Sequence, residues 1–139
     1  HSRVFKSFLE GITNFKNNIT VSGHKDLCKE YIDSSAVTYV PDLQEAIKGK
    51  DIIMALRIQK ERINENISIN IDEYSKNYQI NSKLLKIAKH DSILMHPGPV
   101  NKGVELSQNA YQSKHSVINN QVKYGVAIRM AILTKYFSV

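Results

Sequence analysis

Ala36-Val37-Thr38-Tyr39-Val40-Pro41-Asp42-Leu43-Gln44-Glu45-Ala46-Ile47-Lys48-Gly49-Lys50-Asp51-Ile52-Ile53-Met54-Ala55-Leu56 reads as strand, helix, strand. Ala36–Val40 is a short β-rich run. Pro41-Asp42 then starts a helix, with Asp42 as N-cap and Glu45 three residues on, the spacing of a capping box. The helix over 43–48 stops at Gly49, and Asp51–Leu56 is a second, almost wholly apolar strand.

The same alternation extends both ways. Towards the N-terminus, Val4, Phe5, Phe8, Leu9, Ile12 and Phe15 recur at helical spacing over 3–16, Asn17-Asn18 breaks that helix, and Ile19–Val21 reads as a strand. A second helix is predicted over His24–Tyr31. Beyond residue 56, Ser82 caps a predicted helix over 83–89, Ser92–Met95 is a strand, and a final helix covers 116–137. Its candidate apolar contacts are Val117, Val122, Val126, Met130, Leu133 and Phe137, with Gly125 interrupting the pattern. Residues 63–80 are polar without clear periodicity and read as a loop. Helices alternating with strands imply an α/β fold, an open parallel sheet with helices on both faces, Rossmann-like. The chain opens on a helix that in such folds follows a strand, so a first strand is expected to be missing and the chain to be a fragment. Ligands of such sheets bind beyond the C-terminal ends of the strands, which here means residues 57–62 and 96–105.

The 139 residues suit one domain. No apolar run approaches the roughly 20 residues of a membrane helix, and the first residues lack the pattern of a signal peptide. The single cysteine, Cys28, points to a reducing compartment, the cytoplasm, and to packing rather than nucleophilic chemistry. The net charge of +6 is spread over scattered lysines without a dense basic stripe, so neither a nucleic acid nor a membrane is expected as partner. There is no phosphate loop, and the histidines and Cys28 show no zinc-ligand spacing. No cofactor and no metal are expected.

Three segments carry candidate chemistry. Arg57, Gln59 and Glu61 follow the buried strand 51–56. An arginine there can present its planar fork to a carboxylate, in charge-assisted bonds of about 1.5–3 kcal/mol each. Gln59 points the same way if the backbone stays extended, and Glu61 could orient Arg57. Surface ion pairs worth about 0–1 kcal/mol each are the competing reading, and spacing does not separate the two. His96-Pro97-Gly98-Pro99 follows the next strand. Two prolines around a glycine hold a turn open and expose backbone groups to a ligand, although a ligand-free connection has the same signature and His96 could equally be a buried, hydrogen-bonded residue. Arg3, at the head of the first helix, adds a full charge to an end that attracts anions; a frayed terminus is the alternative.

In this order and at these separations, His1-Ser2-Arg3-Val4, Leu56-Arg57-Ile58-Gln59-Lys60-Glu61-Arg62, and His96-Pro97-Gly98-Pro99-Val100-Asn101-Lys102-Gly103-Val104-Glu105 resemble the C-terminal domain of bacterial-type aspartate carbamoyltransferases. Gln121–Ala131 resembles that family's terminal helix, so the likeness covers essentially the whole chain. Lys102 stands where the family usually has arginine. Ornithine-specific relatives carry a cysteine in the turn that here holds Pro97-Gly98-Pro99, which favours aspartate.

The resemblance implies a transferase that condenses carbamoyl phosphate with L-aspartate, early in pyrimidine biosynthesis. It implies that Arg3 and Arg57 bind the two carboxylates, assisted by Gln59, and that Gly98 and Pro99 offer backbone carbonyls to the carbamoyl NH₂. Glu61, His96 and Pro97 are supporting residues, and residues 63–80 are a loop that closes over the substrates. The family binds phosphate mainly with an N-terminal carbamoyl-phosphate domain and residues from a neighbouring subunit of a homotrimer, sometimes with a regulatory subunit. The whole of 1–139 is then the L-aspartate-binding domain, inactive by itself. Transfer to another amino acid, or a non-catalytic scaffold of the same fold, are the competing readings.

Overall fold

The structure is a computed structural model in which residues 2–58 and 69–137 are described. Its elements are α1 (Arg3–Ile12), β1 (Thr20–Val21), α2 (Lys25–Cys28) running into a 3₁₀ turn at Lys29–Tyr31, β2 (Thr38–Tyr39), α3 (Leu43–Ile47), β3 (Ile52–Met54), α4 (Ile71–Tyr78), α5 (Ser82–Leu85), β4 (Ile93–Met95), α6 (Gln108–Tyr111) and α7 (Ile118–Phe137).

Among the described residues every strand pairing is parallel, as the alternation predicts. β1 pairs with β2, Thr20 opposite Thr38, and β3 pairs with β4, Ile53 opposite Leu94. These form two separate two-stranded ladders rather than one continuous sheet. Strands of two or three residues make few ladder bonds, and side chains span the junction instead: Lys50 Nζ donates to Thr20 Oγ1 at 2.7 Å. On its other side β4 takes a third backbone segment, with Leu94 N donating to His115 O (2.7 Å) and Val117 N donating to Leu94 O (3.0 Å).

The core gathers around β3 and β4. Ile47, Ile53, Ala55, Ile80, Leu85, Leu94, Leu106, Ala110 and Ile118 form one buried cluster, and Leu94 and Leu106 are wholly inaccessible. Alternation along β3 explains the division of labour: Ile53 and Ala55 point into this cluster, while Ile52 is 54% exposed.

Asp42 caps α3 as its sequence position implies, Oδ1 accepting from Gln44 N at 2.8 Å and Glu45 N at 3.0 Å. Elsewhere the boundaries move. α1 ends at Ile12, short of the expected residue 16, and Phe15 is 70% exposed. Asn81 rather than Ser82 caps α5, accepting from Lys83 N and Leu84 N, because its carboxamide reaches both orphan amides one residue earlier. The expected loop over 63–80 contains α4 over 71–78. Asn70 caps it and Asp72 and Glu73 occupy its first turn, where the positive end of the helix favours acids; residues 63–68 lie outside the described residues. α6, capped by Ser107, was not foreseen.

α7 lies largely uncovered. It runs unbroken through Gly125, but among its residues only Ile118 is buried. Val122, Val126, Met130, Leu133 and Phe137 are 49–70% exposed, so among the described residues the expected apolar contacts are not made. No described helix is long and apolar enough to cross a membrane.

Cys28, the last residue of α2, is 6% exposed, and burial raises its thiol above the ordinary range. Less thiolate and poor access act together, so alkylation of the native chain at pH 8 is expected to be at least about ten-fold slower than that of a free cysteine. Stopped-time labelling followed by mass spectrometry measures this; native and unfolded chains reacting at equal rates would contradict the burial.

Candidate functional site

β3 and β4 lie side by side in parallel, Met54 opposite Met95, so the segments leaving their C-terminal ends emerge at one edge. Ala55 N donates to Met95 O at 3.0 Å, continuing the pairing one step further. Ala55 and Ile58 are both buried, at 5% each, and hold the backbone on either side of Arg57, whose side chain is exposed at this edge. Pro97, Gly98 and Pro99 follow β4 at the same edge. The structure therefore brings together Arg57 and the proline-flanked turn.

The turn rests on a wholly buried histidine. His96 Nδ1 accepts from Gly98 N at 2.9 Å, which places the ring proton on Nε2; Nε2 then donates to Glu105 Oε1 at 3.2 Å. The same carboxylate oxygen accepts from Asn101 N at 2.7 Å, and His96 N donates to Gln121 Oε1 at 2.9 Å at the start of α7. Asn101 Nδ2 in turn donates to Ile58 O at 3.0 Å, joining the turn to the residue after Arg57. Gly98 sits at φ +74°, the left-handed region that a side chain resists, and the Gly98–Pro99 peptide is cis. Among the described residues no donor takes the carbonyl of Gly98 or Pro99. Two acceptors are thus left on a rigid turn, where an NH₂ group could use them.

Arg3 is the first residue of α1 and is exposed; the helix end is capped by Ser2 Oγ, which accepts from Phe5 N at 3.2 Å. α1 leans on the 3₁₀ turn through an edge-to-face contact of Phe5 with Tyr31, ring centroids 4.9 Å apart. Its Phe8 and Ile12 border a cleft of about 670 Å³ between the two ladders, lined also by Met54, Leu56, Tyr74 and Glu105 among others. Burial pushes the Tyr74 hydroxyl well above the usual tyrosine range, with Glu105 among the lesser contributors. Gln59 and Glu61 lie outside the described residues.

Sequence reasoning singled out His96, Pro97, Gly98 and Pro99 but missed Asn101, Glu105 and Gln121. Asn101, Glu105 and Gln121 stood inside the segments that carry the family resemblance, but an acid nine residues after a histidine has no assignable contact until the turn folds back.

Residues 1–136 match the sequence model of "Aspartate/ornithine carbamoyltransferase, Asp/Orn binding domain". Among curated proteins, the aspartate carbamoyltransferase catalytic subunit of Acetivibrio thermocellus is 42% identical over 96% of this chain and 43% of its own length. That of Dehalococcoides mccartyi is 41% identical over 95% of this chain and 41% of its own length. The chain thus spans less than half the length of these relatives. Among solved structures, aspartate transcarbamoylase from Trypanosoma cruzi, in complex with carbamoyl aspartate and phosphate, superposes with a TM-score of 0.58 at 30% identity, over 70% of this chain and 29% of that one. Ornithine carbamoyltransferase from Thermus thermophilus shares the fold, with a TM-score of 0.70 at 18% identity over 94% of this chain and 43% of that one.

Proposed function

The chain belongs to the aspartate/ornithine carbamoyltransferase family, and from that premise we propose that it is the L-aspartate-binding domain of an aspartate carbamoyltransferase. In this reading the α-amino nitrogen of L-aspartate attacks the carbonyl carbon of carbamoyl phosphate. A C–N bond forms, the amine loses a proton, the C–O bond to phosphorus breaks, and N-carbamoyl-L-aspartate and phosphate result. Arg57 and Arg3 hold the two carboxylates, assisted by Gln59 and oriented by Glu61, while Gly98 and Pro99 accept hydrogen bonds from the carbamoyl NH₂. Phosphate is bound by a second domain and by a neighbouring subunit of a homotrimer, working in the cytoplasm for pyrimidine synthesis and in some settings with a regulatory subunit.

The observation that carries the reading is the common edge: a guanidinium and a pair of unclaimed carbonyls leave adjacent parallel strands and are tied by the Asn101–Ile58 hydrogen bond. A dicarboxylate needs cations and a carbamoyl NH₂ needs acceptors, and Arg57 beside the Gly98 and Pro99 carbonyls supports both roles in this reading. The relatives at about 42% identity are named for aspartate, whereas the ornithine-named structures, at 14–23% identity, speak only to the fold.

Arg57→Ala tests this. Losing one bidentate pair worth about 3 kcal/mol corresponds to roughly a 100-fold fall in kcat/KM for L-aspartate. The longer polypeptide that carries this chain is assayed with labelled carbamoyl phosphate and either L-aspartate or L-ornithine. Carbamoylation of ornithine in preference to aspartate would replace the substrate assignment, and an active Arg57→Ala variant would remove Arg57 from it. Failure of the unsubstituted enzyme to transfer to any amino acid would leave the scaffold reading.

A further inference from the structure

Glu105 is 2% exposed, and among the described residues its second oxygen, Oε2, has no hydrogen-bond partner. Burying a carboxylate costs several kcal/mol unless its surroundings compensate, so packing alone does not account for an acid here. The single oxygen Oε1 does two things at once. It receives the Asn101 N–H at 2.7 Å, and it receives the Nε2–H of His96 at 3.2 Å, thereby selecting the tautomer whose Nδ1 lone pair holds the Gly98 N–H. Both ends of the 96–101 turn are pinned to one atom. Asn101 carries the restraint on, through its carboxamide, to Ile58 beside Arg57.

We infer that Glu105 is the positioning residue of this turn, setting the tautomer of His96 and, through Gly98 and Asn101, the placement of the Gly98 and Pro99 carbonyls relative to Arg57. Its catalytic consequence rests on the carbamoyltransferase reading, whereas the bracing itself rests on the hydrogen bonds alone. Without the acceptor, the imidazole is free to carry its proton on Nδ1. Two donors, Nδ1–H and the Gly98 N–H, would then face each other and the turn would move. A carboxamide keeps the acceptor, so Glu105→Gln should preserve the arrangement and Glu105→Leu should lose it.

The test has two arms. In the 139-residue chain, nitrogen-15 NMR reads the His96 ring: the wild type and Glu105→Gln are expected to show protonated Nε2, unprotonated Nδ1 and a coupling across the hydrogen bond from Gly98 N to Nδ1. Glu105→Leu is expected to lose that coupling and shift the Gly98 amide. If Glu105→Leu does not fold, Glu105→Asp, one methylene short of both donors, takes its place with the same expectation. A wild-type ring protonated on Nδ1, or a coupling that persists in Glu105→Leu, overturns the inference.

In the longer polypeptide, Glu105→Leu is expected to lose on the order of 100-fold in kcat/KM, the scale of an ångström-level misplacement, with Glu105→Gln restoring most of it. Undiminished turnover in Glu105→Leu also overturns the positioning role. If the ring signature holds while the wild-type polypeptide transfers no carbamoyl group, the functional reading fails and the bracing stands.

Discussion

The 139-residue chain alone is expected to give no carbamoyl transfer above the uncatalysed background, while a polypeptide of its relatives' length does. The chain matches about 43% of the length of the Acetivibrio thermocellus relative, and in the proposed reading its groups address only the two carboxylates and the carbamoyl NH₂. The phosphate dianion is the remaining recognition problem. An enzyme that joins two substrates gains most from holding both: aligned intramolecular reactions reach effective molarities of roughly 10⁵–10⁸ M. With only one partner oriented, that factor is forfeited whatever the quality of the remaining contacts. Labelled carbamoyl phosphate with millimolar L-aspartate, run on both polypeptides at equal concentration, measures it. Product formation by the chain alone would mean that phosphate is recognised within these residues and that the division into two domains is wrong.

Binding and turnover separate in this experiment. L-aspartate is expected to shift amides next to Arg57 and in the 97–99 turn even where no product forms. The two segments are held together by bonds internal to the chain, Ala55 N to Met95 O and Asn101 Nδ2 to Ile58 O, and do not depend on another domain for their relative placement.

The parallel α/β class was legible because apolar strands such as Asp51–Leu56 and the Asp42 cap are local signals, decided by residues close in sequence. The common edge of Arg57 and Pro97-Gly98-Pro99 was legible for a topological reason: once both strands run parallel, the residues following each must leave the same side. The brace was not legible. Glu105, Asn101 and Gln121 reach His96 across a folded-back turn and from a separate helix, contacts that sequence spacing cannot encode. The exposure of α7 is a case of a different kind. Its apolar residues announce a partner, and periodicity cannot say whether that partner lies in the same chain. α4 was passed over because Ile71, Tyr74 and Tyr78, though at helical spacing behind the Asn70 cap, are few and set in a polar stretch.

Leu94→Ala is expected to bring the fold close to its limit. Leu94 is wholly buried at the middle of β4, opposite Ile53 on β3 and flanked on its other side by the 115–117 segment, so neighbours on both sides are fixed by backbone hydrogen bonds. A site hemmed in this way cannot collapse around the missing atoms, which puts the substitution in the upper part of the Leu→Ala range, about 3–5 kcal/mol. A domain of this size has about 5–15 kcal/mol in total. With a urea dependence of about 2 kcal/mol per molar, the midpoint should fall by roughly 2 M. Ile52→Ala, one register step away on the same ladder but 54% exposed, is the control and should shift it by less than about 0.5 M. Equal shifts for the two variants would mean that the β3–β4 ladder does not bury the face assigned to it. The edge that carries Arg57 and the proline-flanked turn would then lose its foundation, because both segments take their positions from the residues of that ladder.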